Sequence, residues 1–387
     1  MQNLKKIVLN AVTPTALLCF SSVEAEPRKG MEDLNARLES LEQKQTSYPS
    51  ASPQPKKGID LFVFGDFFGW QMNEEGIPIA IKTQNPFVFP DFLEVLQHGK
   101  VKNLKFERDF GSRLGLGYNW NRDKIDNRLT WLRFFTSQNR VLHAGSGQLQ
   151  PVQLQPNDIV SPLPGAIPSP GAGFAKVHGH GYLHLNQIDL DLGRAFYVGK
   201  WVSLRPQFGI RTTWLQQHIS VNYTDNQGLS AVQVPRLLPG NSYSVKKKSR
   251  WWGIGPEAGM EMRLALGKGF ELLGNLAGAI EYGFHTLKEK DKNTTVEDAG
   301  LDSSLVSVRD NFRMSHPIFD LLVGVGWDYM FEGDRCHLRL EAGWEQHIYY
   351  SQKQFLNFVD NVAIGNFVTE LGDKTFQGWN VAFRLDF

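Results

Sequence analysis

From about residue 59 onward the chain alternates between apolar and polar positions. Over 110–120, Phe110, Leu114, Leu116, Tyr118 and Trp120 fall on one face; Gly111, Arg113, Gly115, Gly117 and Asn119 fall on the other. Over 201–214, Val202, Leu204, Phe208, Ile210 and Trp214 oppose Ser203, Arg205, Gln207 and Arg211. Ile254, Ala258, Met260, Met262 and Leu264 oppose Gly253, Glu257, Glu261 and Arg263. The pattern returns at 319–331, with Asp320, Gly324, Gly326 and Asp328 polar, and at 336–348, with Arg339, Glu341, Glu345 and His347 polar. It closes with Trp379, Val381, Phe383, Leu385 and Phe387 against Gly378, Asn380, Ala382, Arg384 and Asp386. Successive side chains of a strand point to opposite faces, so this period predicts strands with one apolar face each.

Two architectures use such strands. A soluble sandwich turns the apolar face inward; a transmembrane barrel turns it to lipid and its polar face to the lumen. Three features favour the barrel. The polar face is rich in glycine and mixes charges of both signs, as a crowded interior requires. Aromatics gather at strand ends (Tyr118 and Trp120, Trp251 and Trp252, Tyr329 and Phe331), where membrane interfaces place them. Connections also alternate: short at 121–124, 199–200, 267–269 and 332–334, long between them. Short turns on one side and long loops on the other mark an outer-membrane barrel.

Eleven segments carry strand character: 59–72, 77–84, 101–120, 125–136, 182–198, 201–223, 248–266, 270–285, 316–331, 335–350 and 374–387. Barrels of one bacterial chain have even strand numbers, so the expectation is an all-β, antiparallel transmembrane barrel of about 12 strands, within about 10 to 16. Its last strand closes the ring, which leaves no open sheet edge in lipid.

Residues 1–25 form an expected export signal: Lys5 and Lys6, an apolar run from Ile7 to Phe20, and a cleavage motif ending at Ala25. Removing it takes out Lys5, Lys6 and Glu24 and leaves a neutral chain, which argues against a nucleic-acid partner. Cys336 then has no partner for a disulfide. Residues 26–58 hold a short heptad segment (Met31, Leu34, Leu38, Leu41) and a Pro/Ser linker, so the barrel domain is expected over 59–387. The 26 Phe, 10 Trp and 10 Tyr beside 37 Gly, without long apolar runs, fit strands greasy on one face.

The segments 190–223, 251–270 and 337–355 resemble the MOMP-like outer-membrane proteins of chlamydia-related bacteria, similar also to the legionella major outer membrane protein family. Their marks are the GRAFY turn, the LRPQFG strand, the GIGP start and the AGWEQH strand. The resemblance implies a surface-exposed porin, with monomer and homo-oligomer both open.

The expected chemistry is that of a pore wall. Arg113, Arg205, Arg211, Arg263, Arg339 and Arg384 share it with Glu257, Glu261, Asp320, Asp328, Glu341, Glu345 and Asp386. Such near balance predicts weak ion selectivity with a slight cation lean. The alternative is that these charges pair inside a filled barrel. The Pro-rich stretch within 137–181 is either an external loop or an inward constriction. His178, His180 and His184 at its end lack a fourth ligand set by spacing, so neither a metal nor a cofactor is expected. Lys246 to Arg250, at an external strand start, either meet lipopolysaccharide phosphates or form a solvated basic loop. Phe387 resembles the signal that barrel-assembly machinery reads. No nucleophile and base are brought together by spacing, so an enzyme is not expected. The expected function is passive diffusion of small hydrophilic solutes, against an adhesin or structural barrel acting through external loops.

Overall fold

The computed structural model describes residues 50–52, 60–74, 76–83, 99–120, 124–145, 148–153, 174–226, 242–293, 304–331, 335–358 and 367–387. The expected signal and linker lie outside the described residues, apart from 50–52. The barrel unit is Ser50–Phe387.

Its strands, in chain order, are β1 (Leu61–Glu74), β2 (Pro78–Lys82), β3 (Lys100–Asn103), β4 (Arg108–Trp120), β5 (Ile125–His143), β6 (Leu149–Pro151), β7 (Phe174–Gly193), β8 (Phe196–Tyr197), β9 (Val202–Asn226), β10 (Tyr243–Gly267), β11 (Phe270–Asn293), β12 (Ser304–Phe331), β13 (Cys336–Phe358) and β14 (Phe367–Asp386). Ten of them form the wall, in the order β1, β4, β5, β7, β9, β10, β11, β12, β13, β14, every neighbour antiparallel. β14 returns to β1, from Phe62 opposite Asp386 to Glu74 opposite Lys374. The amide of Phe387 donates to the carbonyl of Leu61 at 2.9 Å, so hydrogen bonding runs to the last residue.

The wall therefore has ten strands rather than about twelve. The strand-like stretch 77–84 is the short β2, and 101–120 breaks at 104–107 into β3 and β4. β2 pairs with β3 and β6, and β6 with β7, so these pieces form a small flap on the wall instead of crossing the membrane.

Turn chemistry explains a short hairpin. Between β10 and β11, Lys268 and Gly269 both have positive φ (54° and 84°). That matches the primed turn that suits the twist of paired strands.

The outward face is apolar between two aromatic levels. Trp120, Trp201, Phe270 and Tyr329 are exposed near the short turns, and Phe135, Trp214, Trp252 and Phe284 near the long connections. β12 is 28 residues long, whereas a tilted strand needs only about 10 to cross the apolar layer. The strands thus continue well beyond the outer aromatic level.

Inside, the barrel changes character with height. Its outer half holds an apolar core in which Phe68, Trp70, Phe134, Leu185, Leu215 and Phe376 are all buried. The connection between β1 and β4 adds to it from within: Ile77, Ile79, Leu104 and Phe106 are buried in the same cluster. Gly179 and Gly181 on β7 leave room for this segment, since a Cβ on Gly179 would press on Ile79 and one on Gly181 on Leu104. Polar ties hold it. Lys353 Nζ donates to the Gly76 carbonyl at 2.6 Å, and the Tyr223 hydroxyl donates to the Ile79 carbonyl at 2.8 Å. The described residues 148–153 also turn inward, with Leu149 buried and Gln153 donating to Pro78 at 2.7 Å. The Pro-rich residues 154–173 lie outside the described residues.

Candidate functional site: the charged lumen

Below the apolar core, the lumen is lined by arginines and carboxylates. Strand register brings many together directly. Asp66 stands opposite Arg113, Asp189 opposite Arg211, Asp328 opposite Arg339, and His337 opposite Asp386. Inward positions recur every second residue, so an acid and a base in matched register must meet.

Each arginine has its partners. Arg113 donates to Asp66 at 2.5 Å and to Glu345 at 3.2 Å. Arg211 spans three carboxylates: Asp189 at 3.0 Å, Glu257 at 2.9 Å, and Asp320 on the far strand β12 at 2.5 Å. Nearer the short turns, Arg205 joins Asp126 and Asp191, the latter at 2.6 Å. Arg128 pairs with Glu261, and Arg263 with Glu271 at 2.6 Å and Glu341 at 3.2 Å. Arg339 meets Asp328 at 2.6 Å, and Arg384 meets Asp386 at 2.6 Å. His347 Nδ1 lies 2.7 Å from Asp320. Such forks need planar, multi-donor cations, which is why arginine rather than lysine fills this level.

The thirteen wall residues expected from alternation all lie on the lumen face, within this network or its hydrogen bonds. It also contains Asp66, Asp126, Arg128, Asp189, Asp191 and Glu271, on strands whose alternation is less clean. Arg128 is the one base among these six, so the wall is more acidic than the expected near balance. Its carboxylates outnumber its arginines.

Two adjoining cavities remain between these side chains. One of about 180 Å³ is bounded by Arg113, Asp189, Glu257, Asn275 and Asn380; the other, about 100 Å³, lies against Phe64, Glu261, Leu322 and Arg384. Glu257 Oε2, Asn275 Oδ1 and Asn380 Oδ1 are buried there without a protein donor among the described residues. Unpartnered oxygens in a polar cavity call for water or a cation. No group of three or more metal-binding side chains occurs among the described residues. His178, His180 and His184 sit on β7 at positions that alternate with its buried, lumen-facing ones, and His180 Nδ1 is 2.7 Å from Asn139.

A closed antiparallel ring with a lipid-facing apolar belt and a charged lumen defines an outer-membrane β-barrel. The family of the Legionella pneumophila major outer membrane protein precursor matches residues 65–386, and the chain belongs to that family. It is a protein of the bacterial outer membrane. Solved barrels are similar in fold at low identity. The outer membrane protease OmpT from Escherichia coli is 10% identical, covers 87% of this chain and 99% of its own, and has a TM-score of 0.40. The translocator domain of autotransporter NalP from Neisseria meningitidis is 9% identical over 93% and 97%, with a TM-score of 0.31. A major outer membrane protein from Thermus thermophilus is 12% identical over 84% and 99%, with a TM-score of 0.25. A search of curated proteins finds no match.

Proposed function

We propose that the protein is a narrow diffusion channel for ions and small hydrophilic solutes, favouring cations, and not an enzyme. The charged wall with its polar cavities at membrane height carries the reading. A field set by more carboxylates than arginines, in a partly dehydrated passage, lowers the cost of a cation and raises that of an anion. On this reading the inward segment of β2, β3 and their flanks holds the outer half closed in the state described, and conduction needs it to yield. The partners are outer-membrane lipid and lipopolysaccharide, small solutes, and assembly machinery that reads Phe387.

One observation favours a second reading. The apolar packing across the outer half suits a filled barrel that acts at the cell surface, as an adhesin or structural protein, through strands reaching past the membrane. Single-channel recording of the refolded full chain under a salt gradient separates the two. The channel reading expects small steps whose reversal potential moves toward the cation equilibrium. A folded barrel that stays silent at every voltage would sink it and favour the surface role.

A further inference from the structure

Just beyond the outer aromatic level, the outward face of three neighbouring strands carries cations and, among the described residues, no acid. On β10 these are Lys246, Lys248 and Arg250; on β11, Lys288 and Lys290; on β12, Arg309 and Arg313, all of them exposed. The outward positions between and beside them are Gln216, His218, Thr286 and Asn311. The register sets like charges face to face: Lys246 opposite Lys290, Lys248 opposite Lys288, and Lys288 opposite Arg309. Directly opposed like charges on one sheet face repel at about 5 Å, and each pair destabilises the sheet. The inner face of the same strands avoids this: Lys247, between the two outward lysines, pairs with Glu289 at 3.4 Å.

The surface directly below is shaped and mainly aromatic, with His184, Asn186, Gln216 and Thr286 interspersed. Trp214, Trp252, Phe284 and Tyr182 border an outward-open groove of about 570 Å³, with Arg250 at its edge. Trp252 and Phe284 are stacked at 5.9 Å, and the Arg313 guanidinium lies 4.6 Å above the Phe284 ring. Aromatic side chains mark the depth where acyl chains give way to headgroups. A ladder of facing cations immediately outside that depth lies where the phosphates of outer-leaflet lipid sit.

We propose that this face of β9–β12 is a binding site for the lipid A part of lipopolysaccharide, with acyl chains on the aromatic groove and phosphates between the opposed cations. The phosphates would turn each repulsive pair into a bridged one. A soluble polyanion would use the charges and leave the aromatic groove without a purpose, so a lipid fits both halves of the surface. The proposal rests on the outer-membrane location and not on whether the lumen conducts.

The test uses the refolded full chain, purified lipid A, and lipid A stripped of its phosphates. Wild-type protein should retain phosphorylated lipid A through gel filtration and bind the stripped form at least about tenfold more weakly, with binding falling as salt rises. The variant carrying Lys248→Glu and Lys288→Glu should lose binding to a similar degree while keeping the folded barrel's gel mobility; Lys200→Glu, at a short turn, should not. Equal retention of the two lipid forms by the wild type would overturn the proposal whatever the variants do. So would charge-dependent capture of a sulfated polysaccharide such as heparin without retention of lipid A, since it would make the face a docking site for a soluble polyanion.

Discussion

The indole N–H of Trp70 on β1 donates to Glu345 on β13 at 2.8 Å, along the lumen wall over Gly378 of the intervening β14. Trp70 belongs to the apolar core, stacked on Phe68 at 3.9 Å, while Glu345 belongs to the charge network through Arg113. This bond is where the two interiors of the barrel meet. An apolar plug laid on bare carboxylates would leave them without water or donor; tryptophan offers a greasy body to one side and a donor to the other.

Two substitutions separate those roles. Trp70→Phe keeps a ring but removes the donor, and should cost about 1.5–3 kcal/mol, the range for a hydrogen bond to a charged group. Trp70→Ala adds a cavity and should cost about 3–5 kcal/mol. Urea unfolding of the refolded protein reads both. If Trp70→Phe unfolds at the wild-type midpoint, the bond contributes nothing.

Arg211 ties β9 to three other strands by its contacts to Asp189, Glu257 and Asp320. Arg211→Met strands those carboxylates and should destabilise by about 3–5 kcal/mol. Arg211→Lys keeps the charge but not the fork, so it should recover only part of the loss. In the channel reading, Arg211→Met also shifts the reversal potential further toward cations. An unfolding midpoint for Arg211→Lys equal to wild type would show that charge alone suffices.

How much of this was legible differs from strand to strand. β4, β9, β10, β12, β13 and β14 alternate cleanly, and their inward residues follow from period two. The glycines of β4 were legible as a crowded face; what crowds them was not. Gly111, Gly115 and Gly117 lie beneath the rings of Phe68, Phe64 and Phe62 on β1. β1 itself, LFVFGDFFGWQMNE, carries large apolar residues on both faces, so periodicity cannot tell its lumen side from its lipid side. The inward β2, PIAIK, has the apolar pattern of a short strand, and nothing local says that it fills a barrel rather than builds one.

His218 lies beyond the outer aromatic level, opposite Lys248 and 5.1 Å from the Tyr182 ring. Burial first, then the charges of Lys248, His180 and Lys246, push it from its ordinary 6.5 down to about 4, against a backbone hydrogen bond at Lys247 that favours the cation. The folded imidazole resists the proton, so the unfolded chain takes it up first. Stability from this group is therefore present above about 6.5 and declines as pH falls from there through about 4. His218→Gln should remove that part of the acid sensitivity, read as the difference in urea midpoint from wild type between about pH 7.5 and about pH 4. Lys248→Gln should raise the value, followed by NMR of the ring protons. A His218 titration unmoved by that change would mean burial acts alone.

The plug offers a direct lock. A Cβ on Gly179 would stand 3.7 Å from the Cβ of Ile79, within the roughly 3.5–4.5 Å that a disulfide spans. Gly179 is on wall strand β7 and Ile79 on the inward β2, so a bond between them ties the plug to the wall. In a Cys336→Ser background, Ile79→Cys with Gly179→Cys should oxidise readily, because the two positions already touch. The oxidised protein should resist urea better than the reduced form, by about 2–4 kcal/mol. It should also carry less current than the reduced form if conduction requires the segment to yield. Loss of current on oxidation and its return with reductant would link the β2 segment to opening. Equal currents in both states would mean that ions bypass the plug or that it stays in place throughout. Failure of the cysteines to join would place Ile79 away from β7 in the membrane-embedded protein.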